Sequence, residues 1–122
     1  MTVCGIDVGS LRTPAAVAWL DRGRFVLDAY VPSAERPLPE PPGGMPPADC
    51  FALDAPQSLP ERGSTRRAAD REARTPTSVL PDRLADVPAM RAYGPFVEAG
   101  LAIFWAAHGQ GLPVVETGFQ KS

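Results

Sequence analysis

A proline-rich stretch between residues 32 and 47 (PSAERPLPEPPGGMPP) is the feature that most restricts the possible folds of this chain. It holds seven of the fifteen prolines, together with two adjacent glycines. Because proline lacks a backbone N–H and fixes φ, neither a helix nor a paired central strand can run through such a density of prolines. The stretch is therefore predicted to be an extended, solvated connection, long enough to cross from an edge strand back to the middle of a sheet.

The residues before this connection predict a β-meander. The apolar run at 2–8 is typical of a buried central strand, and a second strand is predicted over 15–20, after the break at Pro14. The tripeptide DRG at 21–23 has the composition of a hairpin turn, and it leads into a third predicted strand over 25–31.

After the connection, the pattern changes to strands and helices in alternation. Buried strands are predicted over 49–56 and 112–117, helices over 63–74 and 89–108, and irregular structure over 76–88. The second helix is indicated by apolar residues at helical spacing, namely Met90, Tyr93, Val97, Leu101, Phe104 and Trp105. The whole pattern predicts one α/β domain spanning residues 1–122, a mixed sheet with helices on both faces.

Three of the predicted strands end in an acid just before a chain break, in the segments GIDVG, ALDAP and VVETG. If these strands are parallel neighbours, Asp7, Asp54 and Glu116 meet at the carboxyl edge of the sheet, where open α/β sheets bind ligands. Crowded carboxylates repel one another unless a divalent cation such as Mg²⁺ or Mn²⁺ neutralises them, and such a centre can activate water for phosphodiester hydrolysis. The alternative is that each acid caps a turn by accepting backbone N–H bonds.

The ordered set GIDVGS, LDAP, RRAADREAR and VVET resembles the predicted nucleases of domain-of-unknown-function family 429, within the RNase H-like superfamily. The resemblance runs from Thr2 to about Thr117. It implies an RNase H-like sheet of order 3-2-1-4-5 with the second strand antiparallel to the rest. It also implies that Asp7 and Asp54 are the two catalytic, metal-binding acids, and that Arg66, Asp70 and Glu116 are signature positions.

The family pattern continues past the VVE motif into further helices, whereas this sequence ends at GFQKS. The expectation is therefore a domain that lacks its C-terminal helix and the last metal ligand. One face of its sheet is then expected to need a partner or a second copy of the chain.

Arginines supply the candidate phosphate-binding groups. They cluster in one predicted helix, as Arg66, Arg67, Arg71 and Arg74, and the last three fall on one face of it. The alternative is a solvated helix in which Arg66 pairs with Asp70, although Asp70 could also join the acids as a fourth carboxylate. Ser10 is a further phosphate-binding candidate, because GIDVGS is similar to the first phosphate loop of sugar kinases and actin-like ATPases.

The remaining side chains that could carry chemistry are predicted to be structural. His108 is expected to cap the C-terminus of the second helix, where the helix dipole favours a cation. Trp19 and Trp105 follow strand and helix spacing and are expected in the core. Cys4 and Cys50 lie in apolar runs without metal-ligand spacing, and are expected to be buried reduced thiols.

The leading functional interpretation is a nuclease or phosphodiesterase that depends on Mg²⁺ or Mn²⁺, with Asp7 and Asp54 assisted by Glu116 or Asp70. Its partner is then a nucleic acid or nucleotide, bound through a local basic patch, because a net charge of −2 provides no general attraction. The alternatives are a non-catalytic binding domain of the same fold and one half of an actin-like or sugar-kinase-type ATPase. A cytoplasmic location is predicted, because no apolar run is long enough for a membrane span.

Overall fold

The computed structural model describes residues 1–9, 13–55, 59–64, 67, 80–90 and 93–117. Seven elements lie within these ranges. They are β1 (Thr2–Asp7), β2 (Ala15–Asp21), β3 (Arg24–Tyr30), β4 (Cys50–Leu53), a 3₁₀ helix (Leu84–Met90), α1 (Tyr93–Gly109) and β5 (Val114–Glu116). The first predicted helix, over 63–74, falls almost entirely outside the described residues.

The strands form one mixed sheet in the order β3-β2-β1-β4-β5. β2 is antiparallel to β1 and β3, whereas β1, β4 and β5 are mutually parallel neighbours. The predicted α/β class, the strand order and the antiparallel second strand are therefore confirmed. The proline-rich connection also runs as predicted, from the edge strand β3 to β4 beside the central strand β1.

The β2–β3 turn is the hairpin that the sequence predicts. Arg22 and Gly23 both have positive φ, 49° and 83°, as a two-residue turn with the right-handed twist of its strands requires. Glycine adopts this conformation without a steric penalty, whereas Arg22 does so at a cost that the seven paired rows of the two strands offset.

The proline-rich connection is more closely packed than the predicted solvated segment. It has no helix or strand, as expected, but Met45 and Pro32 are buried within it. The Tyr30 hydroxyl donates a hydrogen bond to the Pro37 carbonyl at 2.8 Å, and an Arg24 guanidinium nitrogen donates one to the Gly44 carbonyl at 2.8 Å. Prolines that cannot join a ladder thus still pack over the sheet, because their rings are apolar and their carbonyls still accept hydrogen bonds.

The main core lies between one face of the sheet and α1. Strand residues that alternate toward this face pack against small and branched residues of the helix; the buried set includes Cys4, Ile6, Val17, Trp19, Phe51, Leu53, Ala99, Ile103 and Ala107. Cys4 and Cys50 are both free thiols, but Cys50 is only half-buried, so the prediction of two buried thiols is wrong for Cys50. Burial, and secondarily the nearby Cys50, raises the pKa of the Cys4 thiol to about 12, which makes it unreactive at neutral pH.

The second predicted helix differs from the structure at its start and in its buried face. A 3₁₀ helix occupies 84–90, including residues predicted to be irregular, and its Pro88 has the φ that such a helix needs. Val97 and Leu101 pack against this 3₁₀ helix in a second apolar cluster. Trp105 is 62% exposed, so its predicted place in the core is wrong. The run 101–107 is apolar at every position, and spacing alone therefore cannot select the buried side.

The described helices include none with the length and apolar character to cross a bilayer.

Candidate carboxylate site

The sheet register brings Asp7 and Asp54 side by side. Ile6 of β1 lies opposite Leu53 of β4, so the next residue of each strand forms the next row at the carboxyl edge. Ile6 and Leu53 are buried against α1, and the alternation of side chains places the two acids on the other face of the sheet. Asp7 is exposed there, and Asp54 is half-buried.

Asp54 is held by a backbone contact across the strands. The Val8 N–H donates a hydrogen bond of 2.8 Å to Asp54 Oδ1. This bond ties the end of β1 to the residue after β4, so Asp54 partly fulfils the capping role that the sequence left open as the alternative. The contact also fixes the position of the Asp54 carboxyl group beside Asp7.

The neighbouring Asp7 carboxyl group affects the pKa of Asp54. Burial, the hydrogen bond with Asp7 and the Asp7 charge together raise the pKa of Asp54 to about 6, although the bond from Val8 opposes the shift. At neutral pH Asp54 is therefore largely ionised, and its negative charge lies beside the Asp7 carboxyl group.

This pair fits a hard divalent cation. Both side chains offer oxygen ligands, and Mg²⁺ typically binds through one or two carboxylates while it keeps several waters. No ion pair joins either acid to a lysine or arginine within the described part of the chain. No group of three or more potential metal ligands occurs among the described residues, so the fit rests on two carboxylates and coordinated water.

Glu116 is directed away from this pair. It lies opposite Leu53 in the β4–β5 register, which puts it on the α1 face of the sheet. Both of its carboxylate oxygens accept hydrogen bonds from Arg67, at 2.7 and 2.6 Å. The structure thus brings together two of the three strand-end acids and not the third.

Arg67 is the buried partner in this ion pair. It is only 7% exposed and its guanidinium binds Glu116, so it is neither the exposed phosphate-binding residue nor the solvated helix residue that the sequence analysis considers. The bidentate geometry uses the planar fork that makes arginine the preferred partner of a carboxylate. The sequence analysis does not predict the pairing of Arg67 with Glu116. Alternation along the short strand β5 could have placed Glu116 on the α1 face, but only if the β4–β5 register were known.

Several candidates lie outside the described residues. They are the phosphate-binding candidates Ser10, Arg66, Arg71 and Arg74, and the possible fourth acid, Asp70. Their predicted roles stay predictions.

His108 is remote from the carboxylate pair. It is exposed near the end of α1, and its ring stacks on Phe104 with centroids 5.6 Å apart. α1 ends where the chain turns into β5, at the sheet edge opposite the one that carries Asp7 and Asp54. This position agrees with a structural role at the helix end.

The fold and the site define an α/β protein with a pair of adjacent carboxyl groups at the carboxyl edge of a five-stranded mixed sheet. No protein-family model, no curated protein and no solved structure matches this chain. Any functional assignment therefore rests on the geometry of the described residues and on the sequence motifs that place them.

Proposed function

We propose that this protein is a divalent-metal-dependent nuclease of the RNase H-like class, which hydrolyses phosphodiester bonds of nucleic acids. The observation that carries the proposal is the β1–β4 register, which places Asp7 and Asp54 side by side at the carboxyl edge of the sheet. The strand order 3-2-1-4-5 with β2 antiparallel supports the fold assignment, because it is the arrangement that the sequence resemblance implies.

In this proposal Asp7 and Asp54 hold Mg²⁺ or Mn²⁺. The backbone contact from Val8 orients the Asp54 carboxyl group, and the exposed Asp7 leaves the other side of the site open to a large substrate. The cation, when bound, supplies Lewis-acid activation of water and neutralises charge at the phosphate. An exposed pair at a sheet edge suits a polymer better than a small molecule that needs an enclosing cavity.

The arginines have two distinct roles in the proposal. Arg67 holds Glu116 and so fixes the end of β5 beside β4. Ser10, Arg66, Arg71 and Arg74 are proposed to contact phosphates, and Asp70 is proposed to assist the acid pair. Because the protein as a whole is slightly acidic, these local groups must provide the attraction for a nucleic acid.

A non-catalytic domain of the same class is the second candidate. The engagement of Glu116 with Arg67 favours it, because the third strand-end acid is then not directed at the carboxylate pair. In that case the site binds a cation or a phosphate-containing ligand without cleaving it.

A cleavage assay distinguishes these two functions. Purified protein is incubated with Mn²⁺ or Mg²⁺ and end-labelled single-stranded DNA, duplex DNA, single-stranded RNA or an RNA–DNA hybrid. We expect cleavage of at least one substrate, its loss on chelation, and a fall of at least about 100-fold in Asp7→Asn and Asp54→Asn, since each removes a ligand charge.

Asp28→Asn is the matched control, because Asp28 is an exposed strand aspartate that accepts a bond from its own neighbour, Ala29. It should cleave at the wild-type rate. Equal cleavage by wild type and Asp7→Asn would indicate a contaminating nuclease and contradict the proposal. Cation binding without cleavage of any substrate would favour the non-catalytic domain.

A further inference from the structure

Among the described residues, the helix and the proline-rich connection cover only one face of the sheet. α1 and the buried residues of the proline-rich connection both pack on the side that carries Cys4, Trp19 and Phe51. The opposite side, here called the open face, bears the alternate residues of every strand. Leu27 on β3 is 72% exposed there and Val115 on β5 is 56% exposed, so the open face presents large apolar side chains at both edges.

The open face is apolar in the middle as well. One row runs across β2, β1, β4 and β5 through the middle of this face, and its residues are Ala18, Gly5, Ala52 and Val115 in that order. The only charged residues that the described strand rows place on this face are Asp7 and, just past β4, Asp54, both at the carboxyl edge. A contiguous apolar surface of this kind marks an interaction site rather than ordinary surface.

The shape of the open face differs between its two halves. Bulky side chains stand on the β2–β3 half, where Leu20 lies opposite Phe25 and Ala18 lies opposite Leu27. The β1–β4 half is flat, because Gly5 and Ala52 occupy its central row. A face with one raised half and one flat half is complementary to itself after a half-turn about an axis parallel to the strands.

We propose that the open face packs against the open face of a second copy of this chain. The two-fold axis runs parallel to the strands, which places β3 over the β5 of the partner and β2 over its β4. The bulky β2–β3 half of each copy then covers the flat half of the other, with the sheets about 10 Å apart as in other face-to-face sheet pairs. The contact is made by the apolar rows, so the last row, with Asp7 and Asp54, lies at its rim, where the carboxyl ends of the strands stay open to solvent. Both acid pairs lie at the same end of the dimer, and their mutual repulsion is relieved when cations are bound.

The size of the face sets the expected strength of the dimer. The five strands lie about 4.8 Å apart and contain 27 residues, each about 3.3 Å long, which gives a footprint of roughly 430 Å² per copy; corrugation by side chains raises the accessible area above that. A standard stable interface buries about 800 Å² per partner, so the dimer falls in the weak to moderate class. We therefore expect a reversible monomer–dimer equilibrium that depends on protein concentration.

A second copy suits this face better than a charged partner. The described strand rows place neither lysine nor arginine on it, so its apolar rows offer no cation to an anionic membrane or an acidic protein. Two apolar faces with matching relief instead gain by removing apolar area from water.

Sedimentation velocity over a wide concentration range tests the proposal. The full chain should shift from monomer to dimer as concentration rises. Leu27→Lys and Val115→Glu should each raise the dimer dissociation constant at least about 10-fold, because each puts a charge into the apolar contact. Both positions are exposed in the single chain, so each variant should keep the wild-type circular dichroism spectrum and melting temperature.

The placement of β3 over β5 adds a sharper test. Mixing Leu27→Lys with Val115→Glu should restore association as a heterodimer, since the introduced charges then face each other across the interface. Leu84→Lys is the matched control: Leu84 is 63% exposed but lies on the 3₁₀ helix, away from the open face, and this variant should dimerise as wild type does.

Three outcomes would overturn the proposal. One is a wild-type chain that stays monomeric at every concentration, which would mean that the open face is satisfied within a single copy. Another is a dimer weakened by Leu27→Lys but unaffected by Val115→Glu, because pairing through the edge strand β3 leaves β5 uninvolved. The third is a dimer that Leu84→Lys disrupts as strongly as the open-face variants do.

Discussion

Replacing Arg67 with methionine is expected to lower the free energy of unfolding by about 2–4 kcal/mol. Arg67 is 7% exposed and donates two hydrogen bonds to Glu116, whose side chain is 27% exposed. Methionine keeps much of the volume but removes the guanidinium that donates two hydrogen bonds to the partly buried carboxylate of Glu116. Because water still reaches that carboxylate, the expected cost lies near the lower end of the range for buried pairs. Urea denaturation followed by circular dichroism measures the change.

A double variant separates the pairing from simple packing. Arg67→Met combined with Glu116→Leu should recover a large part of the lost stability, because no buried charge is then left uncompensated. If Arg67→Met alone costs less than about 0.5 kcal/mol, the ion pair does not hold β5 in place, and the structural role assigned to Glu116 is wrong.

The two tryptophans should differ sharply in their contribution to stability. Trp19 is 1% exposed and lies in the sheet–helix core, so Trp19→Ala is expected to cost about 3–5 kcal/mol. Trp105→Ala should cost less than about 1 kcal/mol, because that side chain lies on the outer side of α1. Thermal or urea unfolding of the two variants gives the comparison directly.

Trp19→Phe is the control for ring packing. The buried Nε1 of Trp19 has no hydrogen-bond partner within the described part of the chain, so phenylalanine gives up no hydrogen bond to those residues. It should therefore cost clearly less than Trp19→Ala, with the difference set by the volume retained. Comparable losses in Trp19→Ala and Trp105→Ala would mean that α1 does not face the sheet in the orientation described above.

The path of the sheet could be predicted from the sequence because its signals are local. The DRG turn, the apolar alternation before it and the prolines after it specify a meander and then a long crossover. The resemblance supplied the strand order, which the structure confirms. The buried side of α1 could not be predicted, because an entirely apolar stretch such as 101–107 satisfies several orientations equally.

The proximity of Asp7 and Asp54 could also be predicted from local signals in the sequence, but the separate position of Glu116 could not. Asp7 and Asp54 each follow a buried apolar residue of a central strand, so parallel pairing brings them together. Glu116 also ends a strand, but a one-residue difference in register moves a side chain to the other face of a sheet. The register is set by packing between strands. The position of an acid within its own strand therefore does not show that Glu116 lies on a different face of the sheet from Asp7 and Asp54.

Binding of Mn²⁺, followed by electron paramagnetic resonance of the free ion, tests the central claim most directly: that Asp7 and Asp54 form a divalent-cation site. At about pH 7.5 we predict saturable binding by the wild-type chain and a loss of at least about 10-fold in affinity in both Asp7→Asn and Asp54→Asn. At about pH 5 binding should weaken in the wild type, because the raised pKa of Asp54, about 6, lets a proton compete with the cation for that carboxylate. Asp28→Asn should bind as wild type does. Equal Mn²⁺ affinity in the wild type and both site variants would contradict the claim.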